Sequence, residues 1–362
     1  MPRTPPPEVV AAWPAPNLVN PETRGPAKDI VTIMLWALVS GVLILRLYTR
    51  RYISQRIGWD DVLITVAYVT ATTFLIVGII IEHGYGWGKH IWDIPTEDVV
   101  SGLQLGLVSF TLFDFATTFI KLSVLALVYR LAAPVSDRIR RFVVFLIVLN
   151  VVGMLLYLVL LFTQCRPLSD YWDFFKPADQ RNCLDESRGI LIAGIYNTIM
   201  DFIIVILPMV VVLRSGILRG RQMTVVMALF AIGWLACLAG IVRTYLMYLM
   251  TTSADFDFTW HSWVSWFASA IELFLGIICV SIPATKPFFV RYLPRLFDAV
   301  PLRTRTRSAH SKDLETGFSK SVEPDQEVPI VFVREVKAPP DLNKPLPPLA
   351  NGIRITTPTP QL

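Results

Sequence analysis

An all-α membrane protein, folded as a bundle of seven transmembrane helices, is the fold class that this 362-residue sequence predicts, and three observations predict it. Hydrophobic residues make up 54% of the chain and charged ones only 17%, with a mean hydropathy of +0.54, too apolar for soluble domains of this length. The apolar excess is concentrated between a polar stretch over residues 1–29 and a polar, Pro-rich stretch beyond Pro283. That middle divides into seven apolar runs of ~20 residues, the length that crosses ~30 Å of hydrocarbon as helix. Barrel strands would need only ~10 alternating residues each, and helices satisfy their own backbone groups in lipid.

The runs fall at about 30–48, 60–81, 102–129, 142–163, 190–213, 223–250 and 263–282, each set by the ~20-residue rule. The first starts after a polar arm and ends in Arg46, Arg50 and Arg51 without a small-residue cleavage site, so it reads as a retained span and not a signal peptide. Arg46, Arg50, Arg51 and Arg56 are counted in the first connection; Arg130, Arg138, Arg140 and Arg141 follow span three; Arg214, Arg219 and Arg221 follow span five; Lys286, Arg291 and Arg295 follow span seven. The positive-inside rule puts these connections in the cytoplasm, with the amino terminus outside and the carboxyl terminus inside. Trp59, Trp87, Trp92, Trp172, Trp260 and Trp263 lie near span ends, where aromatic belts or packing both place tryptophan. The expected units are an outer arm over 1–29, a helical domain over 30–295 and a disordered tail over 296–362, basic and then Pro-rich, available to cytoplasmic protein partners.

The charge pattern excludes an obvious alternative. A net charge of +5 suggests nucleic acid at first sight, yet the cations sit in short clusters between apolar runs, so no nucleic-acid partner is expected. Of the four cysteines, Cys237 and Cys279 lie inside apolar runs, whereas Cys165 and Cys183 flank the fourth, outer connection. That compartment permits a disulfide; two free thiols are the alternative. No Asn-x-Ser/Thr sequon is present.

Ionisable residues within spans are costly and usually face the bundle interior. Asp114 and Lys121 occupy span three, Asp201 span five, Arg243 span six and Glu272 span seven. Steps of three and four place them on polar or small faces: Ser262, Ser265, Ser269, Glu272, Gly276 and Cys279; Thr111, Asp114, Thr118 and Lys121; Asn197 and Asp201; Gly240 and Arg243; Asp61, Thr65, Tyr68 and Thr72. Five helices are therefore expected to line one interior. At ~1.5 Å per residue, Asp114, Asp201 and Glu272 fall at similar depth with Arg243 nearby, while Lys121 is ~10 Å from Asp114 and cannot pair with it. Two readings remain: Arg243 is the counter-ion of Asp201 or Glu272 and the groups are packing glue, or a carboxyl left short of a cation binds a polar ligand head or acts as an acid. The second reading places the functional effect at Asp201 or Glu272.

Retinal is not expected, because the seventh span has no lysine for a Schiff base. The four histidines lack metal-ligand spacing. Span three ends in Tyr129-Arg130-Leu131 and span seven in Ser281-Ile282-Pro283, neither of them a signature of ordinary animal-type G-protein receptors.

Several segments together resemble the fungal rhodopsin-like-domain family of integral membrane proteins: Gly58-Trp59-Asp60-Asp61, Gly84-Tyr85-Gly86-Trp87-Gly88-Lys89-His90, the Lys121–Arg130 stretch, Gln164-Cys165-Arg166-Pro167 with Cys183, Asp201 with Leu207-Pro208-Met209, Val242-Arg243-Thr244, and Glu272 with Cys279 and Pro283. The resemblance covers about 30–295. It implies a seven-span fold, singles out Asp61, His90, Lys121, Cys165, Cys183, Asp201, Arg243 and Glu272, and assigns none of them a reaction. No cysteine precedes Cys165, so the short form without an outer cysteine-rich domain is expected, like the satratoxin-cluster members encoded beside secondary-metabolite genes. The expected role is in such a pathway, as a non-redox cyclase, isomerase or accessory protein in the plasma membrane or an endomembrane. The alternative is a receptor-like sensor of a hydrophobic small molecule. His90 is an outer-turn candidate, with a local turn-capping role as its plainer reading.

Overall fold

The computed structural model describes residues 5–132, 136–173, 180–214 and 221–292; side chains of 212–214, 221–230, Glu186 and Val290 are outside it. The predicted tail over 296–362 lies outside the described residues. Seven long helices form the bundle: α1 Ala27–Tyr48, α2 Trp59–Tyr85, α3 Thr96–Ala132, α4 Asp137–Thr163, α5 Glu186–Arg214, α6 Arg221–Thr252 and α7 Phe258–Tyr292. Each contains a stretch long and apolar enough to cross a membrane.

The helices outrun the apolar windows because polar turns continue them. α3 starts at Thr96, with Glu97 and Asp98 in its first turn where acids favour a helix N-terminus. α1 runs into a π-helical turn, Thr49–Ile53. α7 carries Pro283 and Pro287 within the helix and runs to Tyr292, the last described residue, so Lys286 and Arg291 lie on that helix and not in a connection. At the start of α2, Asp61 Oδ2 accepts from the Gly58 N–H at 3.1 Å, one half of a capping box, and Gly86 at φ +71° closes the other end.

Most neighbours follow chain order; α3 also touches α5 and α7, and α7 also touches α1 and α2, so these two helices have the most neighbours. The largest core unites Val39, Ile64, Phe74, Ala116, Leu273 and Ile277 from α1, α2, α3 and α7. A second joins α3, α4 and α5 through Leu125, Val143, Leu146 and Met200.

An ionic knot closes the predicted cytoplasmic end. Arg46 is fully buried; Nε donates to Asp61 at 2.9 Å, Nη2 to Asp60 at 2.8 Å and Nη1 to the Val280 carbonyl at 2.6 Å. Arg50 and Arg130 also approach Asp60, at 3.2 and 3.5 Å. Charge counting reads Arg46 as a loop cation; it is a buried link between α1, α2 and α7.

One further expectation changes, and one is resolved. The Thr65–Thr72 stripe of α2 does not face the common interior: Trp36 Nε1 donates to Thr72 Oγ1 at 3.1 Å, and Ser40 and Tyr68 hydroxyls lie 2.6 Å apart, so it packs on α1. Of the six span-end tryptophans, Trp59 is 80% exposed as a belt residue would be. Trp87 is buried, and rings of Trp87, Phe258 and Trp266 pack against one another to fill the predicted outer end.

The outer connections are tied together. Cys165 and Cys183 form a disulfide. The segment before α1 is an integral cover and not a free arm: Trp13 packs on Trp92 and donates to the Asp255 carbonyl at 3.2 Å, and the Asn17 N–H donates to Asp93 at 2.8 Å. Lys28, at the head of α1, pairs with Glu82 of α2.

Candidate functional site

The intramembrane charges assemble into one chain of contacts across four helices. Lys121 of α3 donates to Asn197 Oδ1 at 2.6 Å and lies 3.3 Å from Asp201, both on α5. The Asn197 amide donates to Asp201 at 3.2 Å and to Glu272 of α7 at 3.1 Å. Glu272 accepts from Arg243 Nε of α6 at 2.7 Å. Lys121, Arg243 and Glu272 are each about 95% buried. Positions three or four apart share a helix face, so Asn197 and Asp201 present their groups together, and Gly240 opposite Glu272 leaves the space that a side chain would take.

This arrangement adds Lys121 to Arg243, the one counter-ion expected from the sequence. Lys121 neutralises Asp201 and Arg243 neutralises Glu272, so both acids have a cation. It corrects the depth estimate. Helix α3 begins at Thr96, which makes Asp114 the central residue of a 37-residue helix, ~10 Å along the axis from Lys121. Asp114 therefore lies one layer outward from the network, and its Oδ2 is buried with no hydrogen-bond partner.

A cavity of about 80 Å³ occupies that layer. Its walls include Asp114, Lys121, Asn197 and Arg243, together with Phe74, Phe113 and Trp266. Arg243 stands over the Phe113 ring at 4.6 Å, a cation–π contact. Asn150 of α4 contributes as well, its amide donating to the Thr118 carbonyl at 3.3 Å. Sequence reasoning passed over Asn150; the available signal was a lone amide in the apolar run over 142–163. On the predicted cytoplasmic side of the network a second void of about 60 Å³ is lined by Asp201, Glu272, Cys237 and Cys279. Among the described residues no group of His, Cys, Asp and Glu is arranged to hold a metal ion.

His90 stands apart from these charges, at the outer end. Its ring is stacked between Trp92 and Trp260, at centroid distances of 4.6 and 4.1 Å, and Nδ1 lies 2.5 Å from Asp257 Oδ2. The local-turn reading holds for the glycines, since Gly86 and Gly88 have φ of +71° and +93°, and a Cβ on Gly88 would meet Trp263 at 2.8 Å. His90 itself bridges the α2–α3 and α6–α7 connections. Arg24 of the N-terminal cover lies 4.2 Å over the Trp260 ring, and burial there lowers its pKa against the pull of Asp257.

The family model for the fungal rhodopsin domain matches residues 45–291. Wortmanamides biosynthesis cluster protein C of Talaromyces wortmannii is 25% identical over 74% of the chain and 72% of its own length. Fugralins biosynthesis cluster protein 2 of Gibberella zeae is 24% identical over 84% of the chain and 77% of its own. Receptor GIN3 of Arthrobotrys oligospora is 23% identical over 78% of the chain and 67% of its own. No solved structure matches the chain.

Proposed function

The chain belongs to the fungal rhodopsin domain family, and from that premise we propose that it serves a secondary-metabolite pathway by holding an apolar small molecule in the cavity beside Asp114. One observation carries this reading. Asp114 Oδ2 is a buried acceptor without a partner, on the wall of a cavity whose other charges are all engaged. Buried acceptors normally find donors, so a ligand with a donor head supplies what the protein leaves out. The paired charges below fix the floor of the site, and the aromatic walls suit an apolar body. In its protonated form the same carboxyl would fit proton transfer to a bound hydrocarbon skeleton, and the proton would return from the product cation, as a cyclisation or isomerisation without redox change requires. The pathway role is in keeping with the two biosynthesis-cluster relatives.

The test is a deletion strain complemented with Asp114→Asn. The amide keeps the shape and removes the charge. The variant is expected to accumulate in the same membrane as wild type and to leave the metabolite profile of the deletion strain uncorrected. Full correction by the variant would remove Asp114 from the site. A second reading, a sensor of a hydrophobic compound, is favoured by the GIN3 relative; an unchanged metabolome in the deletion strain, with loss of a response to an external compound, would establish it instead.

A further inference from the structure

A longer groove lies outside the cavity, between α4 and α5. It measures about 360 Å³ and is mostly apolar, with Leu156, Leu160 and Ile192 along it and the polar Gln164 and Asp185 at its outer end. These three side chains are 56–69% exposed on helices that span the membrane, so they face the bilayer. Helices α4 and α5 touch sparingly compared with every other sequential pair from α2 to α7. Phe110, Gly153, Tyr157, Ile190, Ala193 and Tyr196 line both the groove and the Asp114 cavity, which makes them a shared wall. The outer end is filled by the packed rings of Trp87, Phe258 and Trp266 and covered by the segment that carries Trp13.

We propose that this groove is the ligand's lateral entrance and holds its body: an elongated apolar molecule, dissolved in the bilayer, passes between α4 and α5 and presents an amine or hydroxyl to Asp114. The inference rests on the binding role assigned above to the cavity, and adds the route and the ligand class. Chemistry selects the head, because an unpartnered carboxylate oxygen accepts a hydrogen bond and repels a second acid. Depth selects against an ordinary bilayer phospholipid. Asp114 is at the centre of α3, whereas a phospholipid keeps its charged headgroup at the interface and would bring a phosphate toward a carboxylate.

Full-length protein in lipid nanodiscs can be photolabelled with three probes of one chain length, each with a mid-chain diazirine: a long-chain amine, the matching alcohol and the matching fatty acid. Saturable labelling of α4 or α5 by the amine or the alcohol is expected, displaced by excess unlabelled probe, with at least tenfold less by the acid. Comparing amine with alcohol identifies the head. Leu156→Trp and Ala193→Phe, which fill the groove, should each cut labelling about tenfold while eluting as wild type. Asp114→Asn should erase the preference over the acid. Unsaturable labelling equal for all three probes would mean bulk lipid contact only and overturn the proposal. Saturable labelling of cavity residues that survives both groove-filling variants would overturn the lateral entrance and leave the cavity's binding role standing. No saturable labelling by any probe would overturn both.

Discussion

Removing Arg243 alone should damage the protein more than removing Arg243 and Glu272 together. The pair is 2.7 Å apart, and both residues are about 94% buried. Arg243→Leu leaves the Glu272 carboxylate with a single neutral donor, the Asn197 amide at 3.1 Å. Breaking a buried pair from one side costs about 3–5 kcal/mol, since an uncompensated charge remains in a low-dielectric site. In Arg243→Leu/Glu272→Leu no charge is stranded. The chief loss is then one of the two acceptors of Asn197, which keeps Asp201 at 3.2 Å, a cost of about 1 kcal/mol. The expected coupling in a double-mutant cycle is therefore at least about 2 kcal/mol in favour of the double variant. Equilibrium unfolding of detergent-solubilised protein, read by intrinsic tryptophan fluorescence, gives all four corners. A double variant as unstable as the sum of the two single variants would refute the buried-pair account and mean that the two residues act separately.

Other outcomes follow from the same contacts. Opening the Cys165–Cys183 bridge by reduction, or by replacing both cysteines with serine, should lower stability by about 3 kcal/mol, the loop-closure value for a separation of 18 residues; an unchanged unfolding midpoint under reductant would count against it. Arg46→Lys should not restore what Arg46→Leu loses, because a point-like ammonium cannot meet Asp60, Asp61 and the Val280 carbonyl at once, and folded yields of the two variants check this. Asp255 gives a pH dependence: burial pushes its carboxyl up, but the His261 ring at 2.9 Å and the Asp257 N–H at 3.2 Å hold it net below the ordinary value of 3.8. A depressed native pKa contributes stability above the unfolded value and loses it as pH falls through the native one. The unfolding midpoint should accordingly drop below about pH 4, with a shallower slope in Asp255→Asn.

What the sequence made legible follows from which forces act locally. Seven spans were readable because hydrocarbon thickness imposes one length on every helix, and the signal is a long apolar run. Their ends were less readable: Thr96-Glu97-Asp98 is polar, and Pro283, Lys286 and Pro287 read as a stop, yet these residues continue α3 and α7. The inward faces of α3, α5, α6 and α7 emerged from helical spacing, whereas the α2 stripe shows the same spacing and faces α1. Periodicity identifies a face and says nothing of the neighbour it meets.

The candidate site shows the same boundary. All of Asp114, Lys121, Asp201, Arg243 and Glu272 could be named from charge in a span, but their pairing depends on how far each helix slides along its neighbour. That offset brings Lys121 to Asp201 and leaves Asp114 Oδ2 without a hydrogen-bond partner in the next layer. Because Asp201 and Glu272 each have a cation, the functional effect first assigned to them passes to Asp114 in the proposal above. Arg46 was hidden for a related reason: at the end of an apolar run a buried cation and a topology-setting loop cation look alike.

The most direct test of the cavity's role is mass spectrometry of small molecules extracted from the protein after mild purification from its native membrane. Wild type should carry an apolar molecule with an amine or hydroxyl head at near one per protein, absent from Asp114→Asn purified in equal amount and with the same elution profile. The same set of molecules, in the same ratio, from both proteins would contradict the assignment of Asp114 and its cavity as the binding site.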